Sequence, residues 1–304
     1  MKYGPIIKEI GRGAKGARDL DTAAAAALFG DILDGVVPEL ELGAILLAFR
    51  IKSEALPELL GFKHAMDART ARVAVPDGPR CVVLPTYNGA RRQANLMPLV
   101  ALLLAREGVP VLIQGRHDFE TRVSPFELLA ALDLHPAVDA AEASAQLAQR
   151  RIACIGVDKL LPGLDPLLAL RLRMGVRASG HTMAKLIDPC RGRSVRVVAV
   201  THPEYLERMD AFLRADGGRA MLMRGTEGEI YANPRRCPEM KVYVDGGASI
   251  GVPAEEGGAP PLAGLPDAPS VADNAALIRS ILAGAVPVPE PVLKQVAVLR
   301  ALAN

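Results

Sequence analysis

The chain has 304 residues, half of them apolar, 4% aromatic and none tryptophan. That length holds one large domain or two unequal ones around a sizeable core. The apolar content excludes disorder over most of the chain, and the shortage of rings excludes a single-strand module built on base stacking. A net charge of +2 hides a segregation: residues 1–18 carry Lys2, Lys8, Arg12, Lys15 and Arg18 against Glu9 alone. Residues 171–196 carry Arg171, Arg173, Arg177, Lys185, Arg191, Arg193 and Arg196 against Asp188 alone. Basic blocks in a nearly neutral chain are the footprint of a polyanion-binding surface.

The first 65 residues read as helices. Asp21 is a suitable N-cap for the alanine run at 22–34, and two more helices follow Pro38 and Leu56. Gly11-Arg12-Gly13-Ala14-Lys15-Gly16 has the letters of a dinucleotide fingerprint. No strand precedes it, so a basic, glycine-punctuated segment is the better reading.

From residue 81 the texture changes. CVVLP (81–85), VPVLIQG (109–115) and RIACIGV (151–157) are short apolar runs, with helical stretches at 95–107 and 124–133. This alternation predicts a parallel α/β sheet with helices on its faces. The loop Pro85–Arg92, with Thr86, Asn88, Gly89, Arg91 and Arg92, lies between strand and helix, where phosphates commonly dock. Gly115, Arg116, His117 and Asp118 follow the next strand and fall on the same edge.

A helix-rich interval at about 163–187 interrupts the alternation. In it Arg173, Arg177, His181 and Lys185 recur at i+4 without interleaved acids, a winding basic stripe if the helix is continuous. Strands are expected again at RVVAVTH (196–202), RAMLMRG (219–225) and KVYVDGG (241–247), then an irregular Pro/Gly-rich connection at 251–269. Helices at 271–283 and about 289–302 close the chain. Glu227 and Glu229, after the strand at 219–224, are candidate Mg²⁺ ligands or members of an exposed turn.

Four dispersed cysteines form no C-x-x-C pair, the pattern of a reducing, cytoplasmic setting. The apolar run at 96–105 falls short of the ~20 residues of a membrane span. No Ser/His/Asp or Cys/His nucleophile arrangement is readable.

Several stretches carry a resemblance. LLAFRIK (46–52), the α/β portion and the tail at 274–283 and 287–301 are similar to anthranilate phosphoribosyltransferases. PTYNGARRQANL (85–96), RMGVRASGHTMAKL (173–186), HPEY (202–205) and RGTEGEIYANPRRCP (224–238) resemble more closely the divergent YbiB-type, nucleic-acid-binding branch of that TrpD-like superfamily.

The resemblance implies the nucleoside phosphorylase/phosphoribosyltransferase fold. A small helical domain, residues 1–65 with a segment returning at about 163–187, would serve dimerisation. A large α/β domain with a mainly parallel sheet would take 66–162 and 188–304. It also exposes departures from the enzymes. Their G-T-G-G-D diphosphate loop matches Pro85-Thr86-Tyr87-Asn88-Gly89, where Pro85 lacks an N–H and two larger side chains crowd the backbone.

Their K-H-G-N becomes Ile113-Gln114-Gly115-Arg116. Their R-T-x-x-N becomes Arg177-Ala178-Ser179-Gly180-His181, and their Asp-Glu metal pair falls near Glu227 and Gly228, with Glu229 one residue on. The reading is a homodimeric nucleic-acid-binding protein with a degenerate active site. It would use Lys8, Arg12, Lys15, Arg18, Arg171, Arg173, Arg177 and Lys185 on backbone phosphates, with no cofactor. The alternative is a phosphoribosyltransferase with a changed acceptor, with Mg²⁺ on Glu227 and Glu229.

Overall fold

The computed structural model describes residues 2–13, 15–116, 122–262, 264–265 and 270–304. Its elements begin with α1 (Gly4–Ile10), α2 (Thr22–Leu33), α3 (Glu39–Lys52), α4 (Leu56–Arg69), β1 (Cys81–Thr86), α5 (Met97–Arg106), β2 (Val111–Gly115), α6 (Pro125–Ala131), α7 (Ala140–Arg150) and β3 (Ile152–Gly156). They continue with α8 (Val157–Leu160), α9 (Leu164–Met174), α10 (Ser179–Met183), β4 (Ser194–Val200), α11 (Pro203–Asp216), β5 (Arg219–Arg224), β6 (Met240–Val244), β7 (Gly247–Val252), α12 (Val271–Leu282) and α13 (Glu290–Ala303). The chain divides into two units: Met1–Ala71 with Val157–Ile187, and Arg72–Gly156 with Asp188–Asn304.

The first unit is helical. Asp21 caps α2 by accepting the Ala24 amide at 2.7 Å. The alanines of α2 let α4 approach closely: a Cβ on Gly61 would lie 2.4 Å from the Thr22 carbonyl oxygen and 2.7 Å from the Ala25 Cβ. Phe62 then stacks on Phe29 at 4.6 Å and meets Phe49 edge-on at 5.3 Å between centroids, both favourable ring geometries. Buried Glu58 ties three segments together by accepting from the Leu20 amide, the Ala55 amide and Lys52 Nζ at 2.9, 2.7 and 2.8 Å.

The second unit holds a seven-stranded sheet of order β3-β2-β1-β4-β5-β6-β7. Its first five strands are parallel, and β6 and β7 are antiparallel. Strands β1, β2 and β4 are wholly buried, as strands covered on both faces must be. One face packs Val82, Leu84, Val111, Ile113 and Val197 against Leu99 and Leu104 of α5, Ile278 of α12 and Val296 and Leu299 of α13.

Four elements lie beyond those expected from the sequence, the single-turn α8 among them. Helices α7 and α11 are polar and amphipathic, so their patterns are fainter than those of the apolar strands. Strand β7 lies where Gly247–Val252 offers small, partly exposed residues. It is set by a two-residue turn with Asp245 at φ 46° and Gly246 at φ 86°, the left-handed pair that a tight hairpin demands. The basic stripe is also corrected: α9 ends at Met174, with Gly175 at φ 70°, and α10 begins only at Ser179. A left-handed glycine stops a helix, so Arg173, Arg177, His181 and Lys185 do not share one. Among the described residues no helix is long and apolar enough to cross a membrane.

The α2–α4 contact generates a stability test. Gly61→Ala gains roughly 1 kcal/mol of helix propensity, but it places a methyl inside the Thr22 carbonyl. A net loss of about 1–3 kcal/mol is expected, read as a lower urea midpoint at unchanged slope.

Candidate functional site

Strand β1 ends at Thr86, and the following loop leads to α5. The sheet order reverses between β1 and β4, and crevices at such reversals receive ligands in α/β proteins. Here the loop meets the turn after β5. In that turn Glu227 and Gly228 take φ 54° and 91°, and Thr226 and Glu229 exchange backbone hydrogen bonds of 3.1 and 2.9 Å.

The turn delivers Glu229 into the loop. Its carboxylate is fully buried and accepts from Thr86 Oγ1 at 2.7 Å, the Asn88 amide at 2.8 Å and the Gly89 amide at 2.8 Å. Glu227 accepts the Arg91 and Arg92 amides at 3.2 and 2.9 Å. Converging backbone amides and a hydroxyl are the donor set of a phosphate cradle. The chain fills it with its own anion.

Close packing holds this arrangement. Asn88 Nδ2 donates to the Gly228 carbonyl at 2.7 Å, and a Cβ on Gly228 would lie 2.7 Å from that same nitrogen. The Tyr87 hydroxyl donates to Gln114. Arg122 Nη1 reaches the Gly89 carbonyl at 3.2 Å, and the Arg116 amide reaches the Thr86 carbonyl at 3.3 Å. Gly115 abuts the loop base so tightly that a Cβ there would be 2.0 Å from the Thr86 oxygen.

Behind the turn, Thr226 Oγ1 donates to the Tyr231 carbonyl and the Tyr231 hydroxyl to the Ala94 carbonyl, at 2.8 and 2.9 Å. Burial, with Glu227 and Glu229 nearby, pushes the Tyr231 phenol well above its ordinary range, so it remains a donor. Buried Gln295 joins α13 to the same turn through the Ile230 carbonyl and Ala232 amide.

The structure therefore brings Thr86, Asn88, Gly89, Arg91 and Arg92 together with Glu227 and Glu229, with Gly115 and Arg116 at the neighbouring strand end. One expectation is corrected. The larger side chains at 87 and 88 do not keep the loop amides from converging, because Tyr87 and Asn88 turn to partners of their own. Of the two candidate Mg²⁺ ligands, Glu229 turns its oxygens to the loop donors, while half-buried Glu227 accepts the Arg91 and Arg92 amides and keeps further acceptor capacity. Among the described residues no group of three His, Cys, Asp or Glu could hold a metal. His117 and Asp118 lie outside the described residues.

The basic residues are in the helical unit. Lys8, Lys15 and Arg171 are exposed. Arg12 and Arg18 share Glu9 at 2.7 and 3.6 Å. Arg173 pairs with Glu39 at 3.2 Å, and that contact holds the Glu39 carboxyl below its usual range. An acid remote in sequence thus partners a residue whose own stretch lacks acids. Arg177 and Lys185 are half-buried, each engaged within the chain. The acceptor role of Glu229 escaped sequence reasoning. Its one trace is the glycine spacing at 225 and 228, where a Cβ would collide with the Glu229 carbonyl or Asn88.

Comparison with known proteins fits this geometry. A model of the glycosyl transferase family, helical bundle domain, matches residues 4–70. The uncharacterized protein YbiB of Escherichia coli (strain K12) is 43% identical over 299 residues, 98% of this chain and 93% of its own. An anthranilate phosphoribosyltransferase of Methylobacterium radiotolerans is 28% identical over 283 residues, 89% of this chain and 79% of its own.

Among solved structures, anthranilate phosphoribosyltransferase (TrpD) from Thermus thermophilus superposes with TM-score 0.75 at 21% identity, over 98% of this chain and 87% of that one. The Saccharomyces cerevisiae enzyme in complex with PRPP and Mg gives 0.76 at 14% identity, over 99% and 88%. The helical unit and mainly parallel sheet are thus those of the phosphoribosyltransferase-fold proteins. Within them, the chain belongs to the TrpD-like superfamily, in the branch that contains YbiB.

Glu229 yields a direct test. Glu229→Ala strips the acceptor from three donors and should lower stability by on the order of 3 kcal/mol, with Glu229→Gln intermediate. Inorganic phosphate should raise the melting temperature of the alanine variant and leave the parent unmoved. Equal responses would show that the loop amides do not form an anion cradle.

Proposed function

We propose that this protein is a homodimer that binds nucleic acid through backbone phosphates, without sequence preference, on a phosphoribosyltransferase-like fold whose diphosphate loop is closed. The observation that carries this reading is Glu229 seated on the Thr86 hydroxyl and the Asn88 and Gly89 amides. A diphosphate would have to expel a buried carboxylate held by three hydrogen bonds.

The basic residues of the helical unit support the positive half of the reading. Lys8, Arg12, Lys15, Arg18, Arg171 and Arg173 are all exposed. The pairs made with Glu9 and Glu39 are surface ion pairs, worth about 0–1 kcal/mol each, so phosphates can displace these acids at little cost. Dimerisation is supported by α3, where Leu40, Leu47 and Ile51 share one face and are 84%, 48% and 58% exposed. Gly43 lies beside them with open space where a Cβ would sit.

Three measurements test the reading. Affinity for duplex DNA should fall linearly in log–log form with salt, at about −0.9 per phosphate engaged, and should barely depend on sequence. Replacing Lys8, Lys15 and Arg171 with Ala should make that slope shallower and weaken all sequences alike. An unchanged slope and affinity would leave these residues a solvated face.

Phosphoribosyl transfer from PRPP to anthranilate should be undetectable with or without Mg²⁺. Turnover lost in Arg177→Ala would establish the transferase reading instead. Leu40→Asp with Leu47→Asp should yield monomers on sizing columns, and a dimer that survives both changes would place the interface elsewhere.

A further inference from the structure

The α/β unit carries a second basic feature, at the opposite end of its parallel strands from the Glu229 loop. Arg151 immediately precedes β3, Arg80 precedes β1, Arg193 precedes β4, and Arg219 opens β5. The sheet order is β3-β2-β1-β4-β5 across this region, so the four lie in a row along its amino-terminal edge. With strands ~4.8 Å apart, the row spans roughly 19 Å, the rise of about five or six base pairs of B-DNA. Exposed Arg72 adds a fifth guanidinium, bonded to the Arg191 carbonyl at 2.8 Å.

What these arginines bind within the chain sets them apart from ordinary ion pairs. Arg80 Nη1 donates to the Gly192 carbonyl at 2.8 Å and Arg193 Nη2 to the Gly78 carbonyl at 2.7 Å, bracing two loops against each other. Arg151 Nη1 reaches the Asp77 carbonyl at 3.4 Å, and Arg219 Nη1 the Leu302 carbonyl at 2.6 Å. Arg219 thereby satisfies the carboxyl end of α13, a common structural use of arginine. The others hold loop carbonyls, where no helix dipole calls for charge.

A neutral carbonyl orients a guanidinium without cancelling its charge, and each guanidinium has five N–H donors. Among the described residues, the one carboxylate paired with any of the five is Asp77, 3.6 Å from Arg193 and fully exposed. Like charges lined up at strand spacing repel, and an oriented row of them is relieved by a chain of anions.

Building on the nucleic-acid reading above, we infer that this amino-edge arginine row is a second phosphate-binding surface, taking successive backbone phosphates of a nucleic acid. The four strand-edge arginines are half-buried, each guanidinium keeps N–H donors beyond its one carbonyl contact, and the planar fork suits phosphate. Recognition is of backbone, since nothing in the row is arranged to enter a groove and read base edges.

The test compares the parent, the Lys8/Lys15/Arg171 alanine variant and a variant carrying Arg80→Gln, Arg151→Gln and Arg193→Gln, on one labelled duplex at several salt concentrations. Glutamine keeps a polar N–H donor on a similar stem and removes the charge. The glutamine variant should bind at least about tenfold more weakly at physiological salt, with a slope shallower by about 0.9 for each phosphate it no longer engages. Lysine at the same three positions should restore most of the slope. In the parent, hydrogen exchange should slow at residues 77–80 and 190–193 when DNA is added, a readout that needs no variant to fold. Unchanged binding by the glutamine variant, or no protection in the parent, overturns this inference while a weakened alanine variant leaves the proposed function standing. A parent that binds no nucleic acid overturns both.

Discussion

A carboxylate removed from water must find there as many donors as it left behind, and Glu229 finds its donors in a loop from the other side of the sheet reversal. Desolvation of such an ion costs several kcal/mol, and charge-assisted hydrogen bonds are the means of recovering it. The Thr86 hydroxyl and the amides of Asn88 and Gly89 supply three. The dependence is mutual, because those buried donors would be orphaned without the carboxylate. The end of β1, the turn after β5 and, through Gln295, the helix α13 are therefore placed by one buried charge.

This constraint explains how an α/β sheet can keep converging loop amides with a carboxylate of its own seated on them. The loop amides still converge, since the βα geometry that makes them converge belongs to the strand and its turn. A tethered anion reaches them at an effective concentration that even flexible linkers raise to millimolar, and this one sits on a rigid left-handed turn at Glu227–Gly228. Glu227 then occupies the Arg91 and Arg92 amides. A free diphosphate would compete against two intramolecular carboxylates at adjoining positions. Repulsion between like charges adds to the barrier.

Much of the fold was legible because its signals are local and strong. The Asp21 cap, the apolar runs of β1, β2 and β3, and the interruption at 163–187 each read directly from sequence. What escaped was set by partners distant in the chain. Helix α11 is amphipathic and polar, and β7 becomes a strand by pairing with β6. The loop at 85–92 was found as a phosphate-type turn, since its position between strand and helix is a sequence property. Its occupant was not, because Glu229 lies 140 residues beyond Gly89 and meets it only in the tertiary fold. Similarly, the absence of acids beside Arg173 invited a stripe, while Glu39 came from another helix.

The charge pattern gains a physical meaning once these contacts are known. A nearly neutral chain can present strong local potentials only if its cations are not matched one to one. In the helical unit the pairs made by Arg12, Arg18 and Arg173 are exposed and individually weak. In the α/β unit the edge arginines are matched mostly to neutral carbonyls, which fix direction and leave charge intact. Meanwhile two acids beside the loop after β1, Glu227 and Glu229, are turned to backbone amides. With a screening length of ~8 Å at physiological salt, guanidinium groups one strand width apart, about 4.8 Å, still reinforce one another. Carboxylate turned inward on the loop after β1 and arginine oriented by neutral carbonyls at the opposite edge separate the charge of the α/β unit along its parallel strands.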